Sequence, residues 1–407
     1  MFFRKPCCIS SLHDRLLSGM GFFLRDFDYK AHNEEVKEVW AAFRERKPLR
    51  VPVGLGINPR IWLLNPELNT KGITFREYFE DPNVMAQVQM RSQHYIRHNI
   101  PQDAEMGLPE KGWDLYVDLQ NVYEAAWFGA EVEYREWQAP DTRPILTNDR
   151  KRMLFDYGIP DPLTGGIMAR AWMFYEHMKA HLADYEYEGI PAASVSPPAL
   201  GTDGPMTVAA SLRGATELCI DIYEDPDYVH ELLGFITEAV IMRIKAVRRV
   251  LGHEMKPKNW GFADDSIELL SLETYREFVL PHHKRLVAEL AGEGPHGIHL
   301  CGDVDRLMPT LREELNLDNW DAGFPVDYGR MRRELGRDFL IQTGPTVSLL
   351  LNGTPEQVDA ECRRILGSGI MDGGRFVLKE ANNLSPCTPI ENLMAMYQAA
   401  KKYGKYN

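Results

Sequence analysis

The sequence predicts an α/β fold, a (β/α)8 barrel of the TIM type with an N-terminal helical extension. Three observations carry that prediction. Eight short apolar runs, near 50–56, 115–119, 193–196, 259–263, 296–301, 317–321, 339–343 and 375–380, are separated by stretches of helical period. Strands alternating with helices pair in parallel, and eight such units close on themselves with every carboxyl end at one mouth. The 407-residue length suits one long α/β barrel as well as two domains.

Taken in order, residues 1–47 read as the extension and 48–407 as a single barrel. Within the extension, Val36, Val39, Trp40 and Phe43 follow helical spacing over 33–44. The first run, ended by Gly54 and Gly56, is followed by a helical segment over 74–99, and the second ends close to Asp118. The stretch 129–187 is loop-rich and then helical. Its aromatics Trp172, Phe174, Tyr175, Tyr185 and Tyr187 are expected over one mouth, either lining an apolar pocket or packed as a lid. From 192 onward strand and helix alternate regularly. Thr354-Pro355-Glu356-Gln357 and Thr388-Pro389-Ile390-Glu391 each read as a helix start, with Thr at the cap and Pro at the first helical position.

The composition narrows the function. A net charge of −13 argues against a nucleic-acid or anionic-membrane binder, which needs a basic surface. No apolar run reaches membrane-span length, and the start lacks an apolar core of signal-peptide length, so a cytoplasmic protein is expected. Six cysteines, Cys7, Cys8, Cys219, Cys301, Cys362 and Cys387, are too scattered for a disulfide framework.

The chemistry centres on His296-Gly297-Ile298-His299-Leu300-Cys301-Gly302-Asp303. Strand alternation puts His299 and Cys301 on one face, with Ile298 and Leu300 on the other. An imidazole and a thiolate on one face make half a zinc site; a core histidine beside a small buried cysteine is the plain alternative. The mouth would also collect Asp118, Asp264, Asp265, Gln342 and Glu380. Of Asp264 and Asp265, adjacent and so pointing apart, one faces the cavity and the other is free to cap a helix; Asp265 is the expected acid, base or partner to His299.

From about Lys47, and most strongly from Trp260, the chain resembles the uroporphyrinogen decarboxylase superfamily, which includes the zinc-dependent corrinoid methyltransferases. The motifs are Gly261-Phe262-Ala263-Asp264-Asp265-Ser266, Tyr275-Arg276-Glu277-Phe278-Val279-Leu280-Pro281, His299-Leu300-Cys301-Gly302-Asp303, Gly344-Pro345 and Cys387-Thr388-Pro389-Ile390-Glu391-Asn392-Leu393. The decarboxylase holds its many carboxylates with paired arginines and uses an aspartate, for which Asp118 stands here. This chain has only Arg60 in Leu55-Gly56-Ile57-Asn58-Pro59-Arg60. The methyltransferase branch is closer in motif, because its zinc site is His-x-Cys followed far downstream by a Cys. Where that last Cys belongs, this chain has Ala381-Asn382-Asn383. The third ligand is then Cys387, Glu380 or a carboxylate of Asp264-Asp265, or no zinc binds.

The resemblance implies a methyltransferase that moves a methyl group between a small ether, amine or thiol and a cobamide brought by a separate corrinoid protein. Zn2+ would be the Lewis acid. Asp264, Asp265 and Asp118 are the expected catalytic acids, Gln342 and Asn382 the substrate contacts, and a homodimer is compatible with the family. A tetrapyrrole decarboxylase and a barrel that binds a corrinoid or tetrapyrrole without chemistry are the competing expectations.

Overall fold

A computed structural model describes residues 27–406. The described residues open with helix α1 (Tyr29–Arg44), then run through α2 (Pro82–Asn99), strand β1 (Trp113–Tyr116), a small β2–β3 hairpin (Val132–Glu133, Asp141–Thr142), β4 (Glu186–Tyr187) and β5 (Ile190–Ser196). Helices α3 (Pro205–Arg213) and α4 (Pro226–Leu251) precede β6 (Gly261–Ala263), β7 (His296–Leu300), β8 (Leu317–Ala322) and β9 (Leu340–Thr343). Helix α5 (Pro355–Leu366), β10 (Phe376–Leu378) and α6 (Ile390–Tyr403) complete it.

The strands form the expected barrel. β10-β9-β8-β7-β6 is one all-parallel sheet, and β1 pairs parallel with β5. Two single parallel bridges extend the ring: Val53 with Leu378, and Asp203 with Ala263. The first expected strand is therefore an extended segment with one parallel bridge, because Pro52 has no N–H to give to a ladder. The second runs over Trp113–Tyr116, earlier than 115–119: buried Trp113 and Leu115 alternate with Asp114, whose carboxylate accepts from Ser194 Oγ (2.6 Å). Asp118 thus lies in the loop beyond the strand.

The part of the N-terminal extension that is described packs on the barrel. α1 buries His32, Val36, Val39 and Phe43, while the fourth expected apolar position, Trp40, is half-buried and donates Nε1–H to the Asp103 carbonyl (2.6 Å). Behind it Arg50 makes two 2.6 Å bonds to Asp103 and one of 3.0 Å to Glu35, and Lys401 of α6 reaches Glu35 at 2.8 Å. Cys7 and Cys8 lie outside the described residues.

The aromatic stretch is core. Phe174 and Tyr175 are buried on the helix Met168–Ala180, and Tyr185 is buried too, so these side chains serve packing. Among the described residues no helix is long and apolar enough to cross a membrane.

The two expected helix starts part company. Thr354 forms a full capping box with Gln357 ahead of Pro355. Thr388 instead gives its hydroxyl to the Ser385 carbonyl (2.8 Å), and α6 begins only at Ile390.

Candidate metal centre

β7 shows the alternation its sequence predicts: Ile298 and Leu300 are buried, and His299 between them is half-buried on the other face. Register places Asp321 of β8 directly beside His299. His299 Nδ1–H donates to Asp321 Oδ2 (2.9 Å), and Lys379 Nζ, just past β10, donates to both Asp321 oxygens (2.6 and 2.7 Å). With Nδ1 so engaged, Nε2 is the free donor atom, and it lies 3.2 Å from Cys301 Sγ.

The turn after β6 supplies the third group. Asp265 Oδ1 accepts the Cys301 backbone N–H (2.8 Å) and stands 4.0 Å from His299 Nε2. Arg306 secures that turn by donating to the Leu270 and Glu268 carbonyls. Gly302 follows Cys301 with φ +81°, and a Cβ there would fall 1.6 Å from Glu268 Oε2, so only glycine lets the two loops close.

The donor atoms of Asp265, His299 and Cys301 all lie within 4.8 Å of one another. Zinc bonds of about 2.0–2.3 Å in a tetrahedron separate donors by roughly 3.3–3.8 Å, so a shift of under about 1 Å per side chain brings this set onto an ion. An imidazole, a thiolate and a carboxylate with a fourth position open is a catalytic zinc arrangement. These residues fit the metal.

The electrostatics agree. Burial, then the charges of Asp265 and Asp321, push the Cys301 thiol far above its usual range, so without a cation it keeps its proton. Burial alone would lower the pKa of His299, but Asp321 and Asp265 outweigh it and raise it. Burial would raise the Asp321 carboxyl; His299 and Lys379 hold it below the usual value. A divalent ion here reverses the thiol's preference.

The other expected site residues are dispersed. Asp264 is fully buried and caps α3, accepting from Thr207 N (2.7 Å), Met206 N (3.3 Å) and His283 Nε2 (2.8 Å). A Cβ on Gly204 would fall 2.3 Å from its carboxylate. The helix-cap reading therefore holds for Asp264, and the expectation of a catalytic acid does not. Glu380 is fully buried outside the cluster: Oε1 accepts from Gly56 N (2.8 Å), Oε2 has no partner among the described residues, and burial pushes its carboxyl well up. Cys387 is likewise outside it, with Sγ 4.0 Å from the Leu64 carbonyl. As third ligand, both give way to Asp265.

Asp118 lines a separate cavity of about 210 Å3 with Tyr116, Gln120, Tyr123 and Ala199. Its oxygens accept from Tyr78 OH (2.9 Å), Gln120 N (2.9 Å) and the Gln120 side chain, which in turn accepts from Arg60. Burial raises its pKa against those bonds and Arg60. Gln342 is in register with Asp321 and donates to Asn319 Oδ1 (2.9 Å). Asn382 turns back on its own loop, its side-chain oxygen accepting from Asn383 N (2.7 Å).

Asp321 and Lys379, which the fold brings to the cluster, are not among the residues expected from the sequence. For Asp321 a signal exists: Asn319 and Asp321 alternate with the buried Trp320 and Ala322 along β8. Lys379 offers none, since it reaches its partner from two strands away.

Known proteins add the following. The family model described as uroporphyrinogen decarboxylase matches residues 120–403. A methylated-thiol–coenzyme M methyltransferase of Methanosarcina mazei is 32% identical over 202 residues, covering 49% of this chain and 51% of that protein. A uroporphyrinogen decarboxylase of Rhodococcus erythropolis is 30% identical over 183 residues, 43% of this chain and 49% of that one. The methylcobamide:CoM methyltransferase MtbA of M. mazei is 25% identical over 204 residues, 49% and 56%. The chain thus spans about half the length of these curated relatives. A solved methyltransferase from M. mazei superposes with a TM-score of 0.61 at 17% identity, covering 90% of this chain and 98% of that one, which shows a common fold.

Proposed function

The chain belongs to the uroporphyrinogen decarboxylase family, and from that premise we propose that it is a corrinoid-dependent methyltransferase. It moves a methyl group between a small ether, amine or thiol and a corrinoid carried by a partner protein. One observation carries this reading: Asp265, His299 and Cys301 converge at the barrel mouth with zinc-like spacing. Bound there, zinc would act as a Lewis acid on the heteroatom that loses or gains the methyl group.

The chain's own residues prepare that position. Asp321, braced by Lys379, fixes the His299 ring so that Nε2 lies beside Cys301 Sγ, where it would hold the metal. The backbone N–H of Cys301 holds the Asp265 carboxylate beside both other donors. The relatives that carry out methyl transfer support the same branch.

A tetrapyrrole decarboxylase is favoured by a different observation, the buried Asp118 in its own cavity. Arg60 is the one arginine in its early loop, a poor match for a highly carboxylated substrate.

The test is metal analysis of protein purified without chelator, paired with methyl transfer from free methylcobalamin to 2-mercaptoethanol. About one zinc per chain and measurable transfer are expected, both lost in His299→Ala and Cys301→Ala variants that still fold. No zinc, or turnover of uroporphyrinogen that Asp118→Asn abolishes, would refute it.

A further inference from the structure

Asp203 lies beyond β5 and joins the barrel at one point. Ala263 N donates to the Thr202 carbonyl (3.2 Å) and Gly204 N to the Ala263 carbonyl (2.5 Å), which sets Asp203 in parallel register with Ala263. Ala263 is itself in register with His299. Register neighbours share a face, so the Asp203 side chain stands on the His299 side with only the Ala263 methyl between. Two strand spacings put the Asp203 and His299 backbones roughly 10 Å apart.

The Asp203 carboxyl is half-buried and, among the described residues, has neither a hydrogen-bond partner nor an ion pair; only its backbone is engaged, N–H to Glu124 Oε1 (3.1 Å) and carbonyl from the Thr202 hydroxyl (2.7 Å). Acids surround it: Glu124 from the helix Tyr123–Trp127, and Asp264 and Asp265 from the turn after β6. His299 is its nearby base, while Arg243 of α4 is spent on Glu124 (3.3 Å). Burial first, then Glu124, Asp265 and Asp264, push its carboxyl well above the usual range, against the pull of His299. An acid without a partner that faces a metal centre is in place to exchange a proton with whatever binds between them.

We propose that Asp203 is the acid–base residue of the methyl transfer, a step that rests on the function proposed above. In one direction a methylated compound CH3–X–R meets a Co(I) corrinoid. The X–CH3 bond breaks, the electron pair of Co(I) forms the new CH3–Co(III) bond, and X takes the proton of the Asp203 carboxyl to leave as HX–R. In the other direction the Asp203 carboxylate accepts the proton of HX–R as X takes the methyl group and Co(I) is released.

The experiment compares full-length wild type, Asp203→Asn and Asp203→Glu, each loaded with zinc, using methylcobalamin and 2-mercaptoethanol over a range of pH. Asp203→Asn is expected to bind zinc as wild type does and to transfer methyl about 100-fold more slowly, with one limb of the pH profile gone. Asp203→Glu should restore part of the rate and that limb. The infrared difference between wild type and Asp203→Asn at neutral pH should contain the carbonyl band of a protonated carboxylic acid. An unchanged rate and profile in Asp203→Asn, no such band, or loss of zinc with the side chain would overturn the assignment while leaving the methyl-transfer reading in place. A wild type that neither holds zinc nor transfers methyl would instead take away the reading beneath it.

Discussion

Replacing Asp321 by Asn keeps the shape of the group beside His299 and removes its charge. The carboxylate now accepts from Nδ1 at 2.9 Å and from Lys379 at 2.6 and 2.7 Å. A charge-assisted bond of this kind contributes about 1.5–3 kcal/mol. Its loss leaves the ring less firmly oriented and the Lys379 ammonium uncompensated, two effects that both disfavour a cation on Nε2. Removing such an outer partner typically weakens metal binding by about 10- to 100-fold. Zinc affinity should be measured by chelator competition at about pH 8, where protons compete little for imidazole. Replacing zinc by cobalt(II) gives a sulfur-to-metal absorption band that reports whether Cys301 still binds. An Asp321→Asn protein within twofold of wild type, at equal folded fraction, would mean that Asp321 and Lys379 form an ion pair with no bearing on the metal.

The remaining predictions separate metal donors from structural groups. Cys301→Ala should abolish zinc binding, whereas Cys387→Ala should keep the wild-type metal content in elemental analysis; the reverse pattern would restore Cys387 as a ligand. Asp264→Ala should lower stability by about 3–5 kcal/mol in denaturant unfolding, because it strips the α3 cap and leaves His283 without its buried partner. Glu380 has a folded pKa raised by burial above its ordinary 4.5, so the folded state keeps a proton that the unfolded chain releases. Its contribution to stability is then greatest below that value and falls as pH rises. Glu380→Gln should therefore gain on wild type between about pH 5 and pH 8 in unfolding midpoint, and a constant difference across that range would contradict a buried neutral acid.

Much of this protein is legible along the chain. The strand period over 296–301 places His299 and Cys301 together, because a two-residue spacing is local and survives any context. The capping box at Thr354 is equally local, since Thr354 and Gln357 satisfy each other's backbone donors. The same motif at Thr388 fails because the loop from 381 to 389 has other partners: Thr388 turns to Ser385, and the backbone of Leu384 donates to Gly56. Such competition leaves no trace in the four residues themselves.

What the sequence alone determined was the fold class, the family and two of the three candidate metal donors, each of which rests on short-range periodicity or a contiguous motif. Only the folded barrel decided which carboxylate joins them. Adjacent strand-end residues Asp264 and Asp265 are chemically identical, and it is the position of α3 that takes one of them as a cap and leaves the other facing Cys301. Asp321 and Asp203 come near His299 through register between strands far apart in sequence, and Lys379 through its bonds to Asp321. Register is fixed by closure of the whole ring, and closure is a property of the entire chain.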